Sequence, residues 1–431
     1  MNKGHREILQ IALPSIVSNI TVPLLGLIDV TIVGHLGSPS YIGAIAVGGM
    51  LFNIIYWVFG FLRMGTSGLT SQAYGANDYQ ETRRLLTRSI SIGLFMASIL
   101  ILFQRPIEHI ALWMIGPTPE VSQLASTYFR ICIWGAPAML GLYSFSGWFI
   151  GMQNSRAPMF IAITQNLVNI VASLLLVYGY ELKIEGVAIG TLIAQYAGFF
   201  MAYFIWRRNY IQFGQSEGIR PLLNGEAMHR FFQVNKDIFL RTLCLVAVTL
   251  YFTSAGASQG EIILAVNTLL MQLFTLFSYF MDGFAYAGEA LAGKYIGAND
   301  SQELKRMIHR LFQWGIGIAI GFTLLYGIGG ESFLQLLTNE QAVIEAAQSY
   351  RYWAILIPLA GYMAFLLDGI FIGATATKLM LQSMLVAAIA FFLTYFTLKS
   401  SLGNHALWLA FMIYLSLRGI VQRILGRKIL R

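Results

Sequence analysis

Long apolar stretches separated by short polar clusters run the length of the chain. A helix needs about 20 mostly apolar residues to cross a bilayer, and clusters of glycine, proline, asparagine and charged residues mark the ends of such stretches. Divided in this way, the sequence contains twelve candidate spans, at residues 8–33, 41–73, 85–103, 122–150, 158–179, 186–207, 231–255, 261–292, 305–328, 341–373, 377–398 and 405–425. We therefore predict an all-α integral membrane protein with twelve transmembrane helices.

The composition excludes several other classes of protein. Of the 431 residues, 57% are hydrophobic and 11% are charged, whereas soluble domains carry about 25% charged residues. A soluble enzyme of this size would lack the charge to solvate its surface, and the sequence shows no clustered catalytic set, so we do not expect an enzyme. The two cysteines, Cys132 and Cys244, are too few for a disulfide framework or a four-ligand metal site. We expect neither a metal nor a cofactor.

The basic residues indicate how the chain is oriented in the membrane. Lys and Arg number 28, and they lie in short clusters between the apolar stretches. Such clusters set membrane orientation, so the net charge of +8 does not point to a nucleic-acid partner. If the N-terminus is cytoplasmic, the outer loops receive only Arg105, Lys183 and Lys399. This asymmetry predicts a multi-pass protein with both termini in the cytoplasm.

An internal repeat divides the chain into two similar halves. The motif Gly-Ala-Asn-Asp at 75–78 recurs at 297–300, an offset of 297 − 75 = 222, and the glycine-bounded segment 147–151 recurs at 369–373 with the same offset. Because the equivalent basic loops lie on the same side, each half crosses the membrane an even number of times. We predict two pseudo-symmetric six-helix lobes related as a parallel repeat: an N-lobe at 1–208, a cytoplasmic linker at 209–229 and a C-lobe at 230–431.

The repeated motif itself has a structural interpretation. In each copy an aspartate precedes a glutamate by three residues, as Asp78 and Glu81 and as Asp300 and Glu303. This spacing is typical of a capping box, in which the first side chain binds the exposed backbone amides at a helix N-terminus. We predict a turn that starts a helix in each lobe, rather than a ligand-binding motif.

Several short segments resemble a known family of membrane proteins. They are Leu13-Pro14, LGLID at 25–29, GHLG at 34–37, QAYGA at 72–76, GVAIGT at 186–191 and NKDIFLRT at 235–242. In this order the chain resembles the multidrug and toxic compound extrusion (MATE) transporters, particularly their DinF-like branch. The resemblance implies a protein of the bacterial inner membrane whose two lobes rock between inward-open and outward-open states. It also implies secondary active efflux of amphipathic or cationic organic compounds in exchange for H⁺ or Na⁺.

Asp29 is the first candidate for the coupling chemistry. It lies about 31 Å beyond Ile8 along the first helix, at 1.5 Å per residue, and so in the outer half of the N-lobe. In the related transporters an aspartate at the matching position takes up the coupling proton, and the resemblance assigns this role to Asp29. Desolvation disfavours an ionised carboxylate and so favours proton uptake. The alternative is an acid that ends the helix at the lipid headgroups.

Polar residues on two further N-lobe helices accompany Asp29 as candidates. Asn166, Asn169 and Ser173 share one helix face, and Thr191 and Gln195 share another. They are candidates either for lining a cavity or for hydrogen bonds between helices. Many members of the family carry an acid where Ser173 aligns, so its absence here favours H⁺ over Na⁺.

The C-lobe carries a longer polar pattern. On the eighth span, polar side chains recur at alternating steps of four and three residues, which places them on one helix face. They are Thr268, Gln272, Thr275, Tyr279, Asp282, Tyr286 and Glu289. We predict the wall of a water-filled cavity, with packing against a partner helix as the alternative. Asp237 and Arg241 are expected to pair at i and i+4, and the resemblance links Asp368 on the tenth span to a second cation site.

Two other functions compete with multidrug antiport. A flippase of lipid-linked or amphiphilic precursors from the same wider superfamily would share the architecture but would need a strongly cationic central cavity. A receptor or membrane enzyme would need a ligand-binding domain or a catalytic cluster. We favour an H⁺-coupled exporter that acts as a monomer, with small amphipathic substrates and membrane lipid as its only partners.

Overall fold

The computed structural model describes residues 3–214 and 224–430, and within them every regular element is helical. This confirms the predicted all-α fold. Residues 215–223 of the predicted linker lie outside the described residues, as does Arg431. The chain forms two compact units, Val17–Phe231 and a second unit made of Met1–Ile16 together with Phe232–Arg431.

Residues 3–214 contain nine α-helices. They are α1 Lys3–Gly34, α2 Pro39–Val58, α3 Phe61–Gly75, α4 Tyr79–Leu102, α5 Gln104–Ile115, α6 Pro119–Cys132, α7 Ala136–Gly151, α8 Arg156–Leu174 and α9 Ile184–Tyr210. A 3₁₀ turn at Ile133–Gly135 joins α6 to α7, and a π turn at Leu175–Gly179 extends α8.

The second half repeats the pattern with longer, less interrupted helices. They are α10 Gly225–Ala257, α11 Glu261–Gly297, α12 Ser301–Leu337, α13 Gln341–Gln348, α14 Arg351–Gly373, α15 Thr377–Leu402, α16 Asn404–Leu425 and the short α17 Arg427–Leu430. Helix α11 is continuous where its repeat counterpart is divided into α2 and α3, and α12 is continuous where its counterpart is divided into α4 and α5.

Eleven helical segments within residues 3–214 and 224–430 are long and apolar enough to cross a membrane, so the chain is a multi-pass membrane protein. The remaining predicted span, 122–150, is divided between α6 and α7. Pro137 lies at the start of α7, directly after the 3₁₀ turn. Because proline has no backbone N–H to donate, it favours a helix start over a helix interior, which explains why one apolar stretch forms two helices.

The 222-residue repeat is visible in the backbone. Asn77 and Asn299 adopt left-handed conformations, with φ of 58° and 55°, and Gln153 and Thr375 do the same at 65° and 53°. Both pairs are separated by 222 residues, and such conformations are uncommon for residues other than glycine. The two halves therefore make the same turns at the same positions.

The predicted helix caps form in both units. The Asp78 carboxylate accepts a hydrogen bond from the backbone amide of Glu81 at 3.0 Å, and Asp300 accepts one from Glu303 at the same distance. Each aspartate thereby satisfies an amide that the first turn of a helix leaves unpaired. The repeated motif thus has the structural role that its spacing indicates.

Matched glycines allow the same close helix contact in each unit. A Cβ atom at Gly147 would lie 2.2 Å from the carbonyl oxygen of Arg63, and one at Gly369 would lie 2.1 Å from that of Ala285. The contacted residues are themselves 222 apart, since 63 + 222 = 285. Small residues let two membrane helices approach until their backbones touch, so the repeat extends from sequence to packing.

Helix α1 contributes to both units. Its first residues pack with the second half of the chain, where Trp314 donates to His5 at 3.1 Å and Tyr295 donates to Glu7 at 2.7 Å. Gly283 permits this packing, because a Cβ atom there would lie 2.4 Å from the side chain of Ile16. The sequence placed 1–208 in one lobe, whereas contacts group Met1–Ile16 with the second half.

Candidate functional site

Asp29 lies on α1 and is 6% exposed. The side-chain amide of Asn169, on α8, donates a hydrogen bond to its carboxylate at 3.2 Å. One turn further along α8, the hydroxyl of Ser173 donates to the side-chain amide oxygen of Asn169 at 3.0 Å. Three of the predicted site residues therefore form one buried polar chain inside the unit Val17–Phe231.

Two other side chains hold α8 against α1 on either side of Asp29. The amide of Asn166 donates to the backbone carbonyl of Thr21 at 2.9 Å. The hydroxyl of Tyr178, in the π turn, donates to the carbonyl of Ile32 at 3.1 Å. Asn166 thus contacts the backbone of α1 and not the acid. Short π-helical turns are frequent at functional sites, and this one lies directly beyond the polar chain.

The two candidates on α9 lie apart from this chain of hydrogen bonds. Gly190 lies so close to α8 that a Cβ atom there would be 2.2 Å from the hydroxyl of Ser173, and the next residue, Thr191, is buried. One turn later the side-chain oxygen of Gln195 approaches Gly135. That oxygen is buried and has no hydrogen-bond partner among the described residues.

This arrangement can exchange a proton at a single group. Asp29 is the ionisable member of the chain, whereas Asn169 and Ser173 remain neutral over the physiological range. A buried carboxylate whose hydrogen-bond donor is a neutral amide lacks the strong stabilisation that a guanidinium provides. Such a group can alternate between its protonated and ionised forms when its surroundings change.

A second buried cluster of charged residues lies in the unit that contains the second half of the chain. Arg241 on α10 and Arg418 on α16 both donate to the same carboxylate oxygen of Asp368 on α14. The side-chain amide of Gln422 donates to the other oxygen of Asp368. Each of these side chains is at least nine-tenths buried. Asp368 is thus enclosed by two cations and an amide.

Asp237 and Arg241 do not form the expected ion pair with each other. Arg241 pairs with Asp368, while the carboxylate of Asp237 accepts a hydrogen bond from the hydroxyl of Thr377 at 3.0 Å. An arginine side chain is long enough to reach a neighbouring helix, where Arg241 shares the buried carboxylate of Asp368 with Arg418.

Arg418 and Gln422 are not among the site residues that the sequence predicts. Both lie inside the predicted span 405–425 and are buried, at 4% and 1% exposure. An arginine in the interior of an apolar span is itself a signal, because an ionisable side chain there requires a partner. The sequence alone does not show that this partner is Asp368, which lies 50 residues earlier.

The polar stripe on α11 changes from exposed to buried along its length. Thr268 and Gln272 are exposed, and Glu289, at the other end, is 1% exposed. The intermediate members, Tyr279, Asp282 and Tyr286, are half-buried. The stripe therefore ends at a glutamate in the core of its unit, in the C-terminal part of the helix.

Comparison with known proteins places this geometry in a family. The MatE family model matches residues 14–175 and 238–396, one segment in each half of the chain. DNA damage-inducible protein F of Escherichia coli (strain K12) is 38% identical over 429 residues, covering 99% of this chain and 93% of that protein. Multidrug export protein MepA of Staphylococcus aureus (strain NCTC 8325 / PS 47) is 20% identical over 344 residues, covering 79% and 75%.

Solved structures share the fold over almost the whole chain. The bent form of the Vibrio cholerae MATE transporter VcmN superposes with a TM-score of 0.87 at 17% identity, covering 99% of this chain and 97% of that one. An outward-facing multidrug resistance MATE family transporter gives 0.86 at 18% identity, covering 99% and 96%. With the family model matched in both halves, the twelve-span repeat and the E. coli relative, these findings show that the chain belongs to the MatE family of transporters.

Proposed function

We propose that this chain is a secondary active multidrug exporter that exchanges amphipathic or cationic organic compounds for H⁺, with Asp29 as the proton-binding group. The observation that carries the proposal is the burial of Asp29 against the neutral donor Asn169. The relative MepA is described as a multidrug export protein, which supports a similar class of substrate here. The two lobes would alternate access to the substrate.

Exchange at one carboxylate couples the two fluxes. A cationic substrate is attracted to the ionised form of Asp29, and a proton that enters from outside neutralises the charge and weakens that attraction. One charge moving down a potential of 100 mV releases about 2.3 kcal/mol. For a neutral substrate this sustains a gradient of roughly fifty-fold per proton before any pH difference is added. One-for-one exchange with a monovalent cation moves no net charge, so the pH difference alone drives it.

The neighbouring side chains favour H⁺ over Na⁺ as the coupling ion. Ser173 occupies the position where many relatives have a second acid, so Asp29 would be the main anionic ligand available to a metal cation. In the other unit, Asp368 already contacts two guanidinium groups. Removing these contacts to admit Na⁺ would leave buried positive charges without a partner, which is costly.

The lysine and arginine distribution supports a location for the protein. With both termini in the cytoplasm, the basic clusters face inward, as the positive-inside rule requires. We place the chain in the bacterial inner membrane as a monomer. Its 17 Met, 30 Phe, 21 Tyr and 8 Trp residues provide adaptable and aromatic surface suited to organic cations.

Reconstitution in liposomes tests the assignment of Asp29. Wild type, Asp29→Asn and Asp237→Asn would be compared, with a pH gradient and a sodium gradient imposed separately and a fluorescent organic cation followed. Asp237 is a matched control, since it is also 6% exposed but is bonded to Thr377 in the other unit. We expect Asp29→Asn to lower proton-driven transport by at least about tenfold, equivalent to about 1.4 kcal/mol.

The same assay separates the alternatives. Asp237→Asn should keep proton-driven transport within about twofold of wild type, which is less than about 0.5 kcal/mol. Unchanged pH dependence in Asp29→Asn would remove Asp29 from the mechanism. A requirement for sodium without a response to pH would contradict proton coupling and would return attention to the acids of the C-lobe.

A further inference from the structure

Helix α5, Gln104–Ile115, exposes a row of large apolar side chains outside the predicted spans. Trp113 is 79% exposed, Met114 is 74% exposed and Ile110 is 56% exposed. Phe103, which precedes the helix and ends the predicted span 85–103, is also exposed. At 100° per residue these side chains occupy one face of the helix. A contiguous apolar face of this kind is unfavourable in water, so it marks contact with an apolar phase.

The opposite face of α5 is attached to the unit by an ion pair whose carboxylate is buried. Glu108 is 6% exposed, and both of its carboxylate oxygens accept hydrogen bonds from Arg130 on α6, at 2.9 and 3.0 Å. Ser126 on the same helix donates to it as well. This pairing fixes the rotation of α5 about its axis, which keeps the apolar face turned outward.

A basic cavity lies between α5 and α6. Its volume is about 610 Å³, and its lining residues include the charged or titratable side chains Arg105, Glu108, His109 and Arg130. Two arginines face one carboxylate, so the cavity carries a net positive charge. Arg130 uses two of its five N–H donors on Glu108 and its side chain is 48% exposed, which leaves further donors for an anion.

The negative charge of Glu108 balances only one of the two arginines, Arg105 and Arg130. Burial alone would raise the pKa of this carboxyl, but the hydrogen bonds from Arg130 and Ser126 and the charges of Arg130 and Arg105 outweigh burial and hold the pKa below its usual value. Glu108 is therefore ionised at neutral pH and neutralises one cation. Arg105, on the exposed side of the cavity, supplies the excess charge.

The excess positive charge of the basic cavity is not part of the repeated framework. Adding 222 to the numbers of Arg105, Glu108 and Arg130 gives Gly327, Gly330 and Tyr352. The second half does hold an ion pair one position away from two of these counterparts, between Glu331 and Arg351 at 3.9 Å. No Lys or Arg lies between residues 311 and 350, so Arg105 has no equivalent and calls for a separate explanation.

We propose that α5 lies at the membrane surface and that Arg105, His109 and Arg130 bind the phosphate of a phospholipid headgroup. The exposed face with Trp113 and Met114 would enter the boundary between headgroups and acyl chains. Amphipathic helices lie in this plane with their apolar side buried a few ångströms below the phosphates, and tryptophan is enriched at the same depth. The basic residues on the adjoining face would then reach the phosphate level.

The apolar face identifies the ligand as a lipid and not as free phosphate. A site for a soluble anion needs the positive cavity alone, whereas here the cavity borders exposed Trp113, and Leu112 and Trp113 belong to its lining. A phospholipid satisfies both features, because its phosphate meets the arginines while its acyl chains cover the apolar side chains. The site is separate from Asp29 and does not depend on the proposed transport function.

Lipid binding to the full chain tests the cavity. Native mass spectrometry of the protein in detergent would count bound dioleoylphosphatidylglycerol for wild type, Arg105→Gln with His109→Gln, and the control Lys183→Gln, another basic residue of the predicted outer loops. Loss of one arginine near a membrane surface is expected to weaken binding about fivefold. Lys183→Gln should bind as wild type does. Equal binding by all three chains would overturn the site, and so would displacement of the lipid by equimolar inorganic phosphate.

Tryptophan fluorescence tests the placement of α5 without changing the cavity. Subtracting the emission of Trp113→Phe from that of wild type isolates Trp113 in vesicles of phosphatidylethanolamine and phosphatidylglycerol. We expect bromine atoms on the acyl chains to quench this emission and aqueous iodide to leave it mostly unchanged. Strong quenching by iodide with none by the brominated lipids would place α5 in water and contradict the proposal.

Discussion

The side-chain amide of Asn169 on α8 donates a hydrogen bond to the carboxylate of Asp29 on α1, and the two residues are 140 positions apart in the sequence. A hydrogen bond to a charged group contributes about 1.5–3 kcal/mol, and this one stabilises the ionised form. In Asn169→Ala that stabilisation is lost, so the protonated form persists to higher pH. We expect the pH of half-maximal proton-driven transport to rise by about one to two units, measured in liposomes over a series of external pH values.

Asn166→Ala is the matched control for this change. Asn166 lies three residues earlier on α8, and its amide donates to the Thr21 carbonyl and not to Asp29. Its removal should lower the stability of the α1–α8 contact while the pH of half-maximal transport stays within about 0.3 units. If both variants shift the pH profile equally, Asn169 acts through helix packing and not through the carboxylate.

The charged cluster around Asp368 predicts that replacing this aspartate lowers the stability of the fold strongly. Asp368→Asn would leave the guanidinium groups of Arg241 and Arg418 buried without a carboxylate, and breaking a buried pair in this way costs about 3–5 kcal/mol. We expect a marked fall in the apparent melting temperature in detergent, measured by intrinsic fluorescence. The melting temperature of Asp237→Asn should fall much less, because this change weakens only one hydrogen bond, from Thr377.

A double variant shows whether unpaired charge is the cause. Combining Asp368→Asn with Arg418→Gln removes one of the two stranded cations and should recover part of the lost melting temperature. If the double variant is less stable than Asp368→Asn alone, arginine packing, and not charge pairing, holds the cluster together.

The matched glycines Gly147 and Gly369 predict that alanine substitution lowers stability equally in the two units. Gly147→Ala and Gly369→Ala would each bring a Cβ atom to about 2 Å from a backbone carbonyl, closer than any real contact. Because backbone cannot move aside as a flexible side chain can, we expect each variant to lose about 1–3 kcal/mol, as overpacked cores do. Apparent melting temperature and yield of folded protein in detergent would measure the loss.

Two other glycines serve as controls for that prediction. A Cβ atom at Gly49 on α2 or at Gly317 on α12 meets nothing within 4 Å. Alanine is favoured over glycine in a helix interior by about 1 kcal/mol, so these substitutions should be neutral or slightly stabilising. A loss in the controls as large as at Gly147 would show that the effect does not come from the close helix contact.

The ion pair of Glu108 predicts a local response to acid. The folded state holds the pKa of Glu108 below its usual value, so the pair contributes stability above the unfolded pKa and loses it as the pH falls through the lowered folded value. We expect amide exchange in residues 104–115, corrected for the intrinsic rate, to increase at about pH 3 relative to about pH 7. In Glu108→Gln the two rates should agree, and an identical acid response there would exclude this ion pair as the cause.

Several features of the candidate site could be recognised from local sequence alone. Asp29 stands out as an acid in an apolar span, and Asn169 and Ser173 stand out because their spacing places them on one helix face. The same spacing includes Asn166, yet that amide contacts the Thr21 backbone. Sequence spacing identifies the face of a helix, but the height and rotation of the neighbouring helix determine which residue reaches the acid.

Spacing along the sequence does not identify partners that are distant in the chain. The four-residue spacing predicts a pair between Asp237 and Arg241, but Arg241 contacts Asp368, which lies 127 residues away. The grouping of Met1–Ile16 with the second half has the same origin, because it depends on the space left by Gly283. The i, i+4 spacing rule considers only partners that are close in the sequence. The long side chain of Arg241 and the absence of a side chain at Gly283 instead affect contacts between helices that are far apart in the sequence.

By itself the sequence determined the class of the protein, its helices and its twofold plan, because bilayer thickness and backbone hydrogen bonding leave an apolar chain few alternatives. It also determined the caps at Asp78 and Asp300, which depend on contacts within four residues. Only the tertiary structure decided the partners of Asp29, Asp368 and Glu108. Those partners come from separate helices, and their identity depends on how the helices pack in three dimensions.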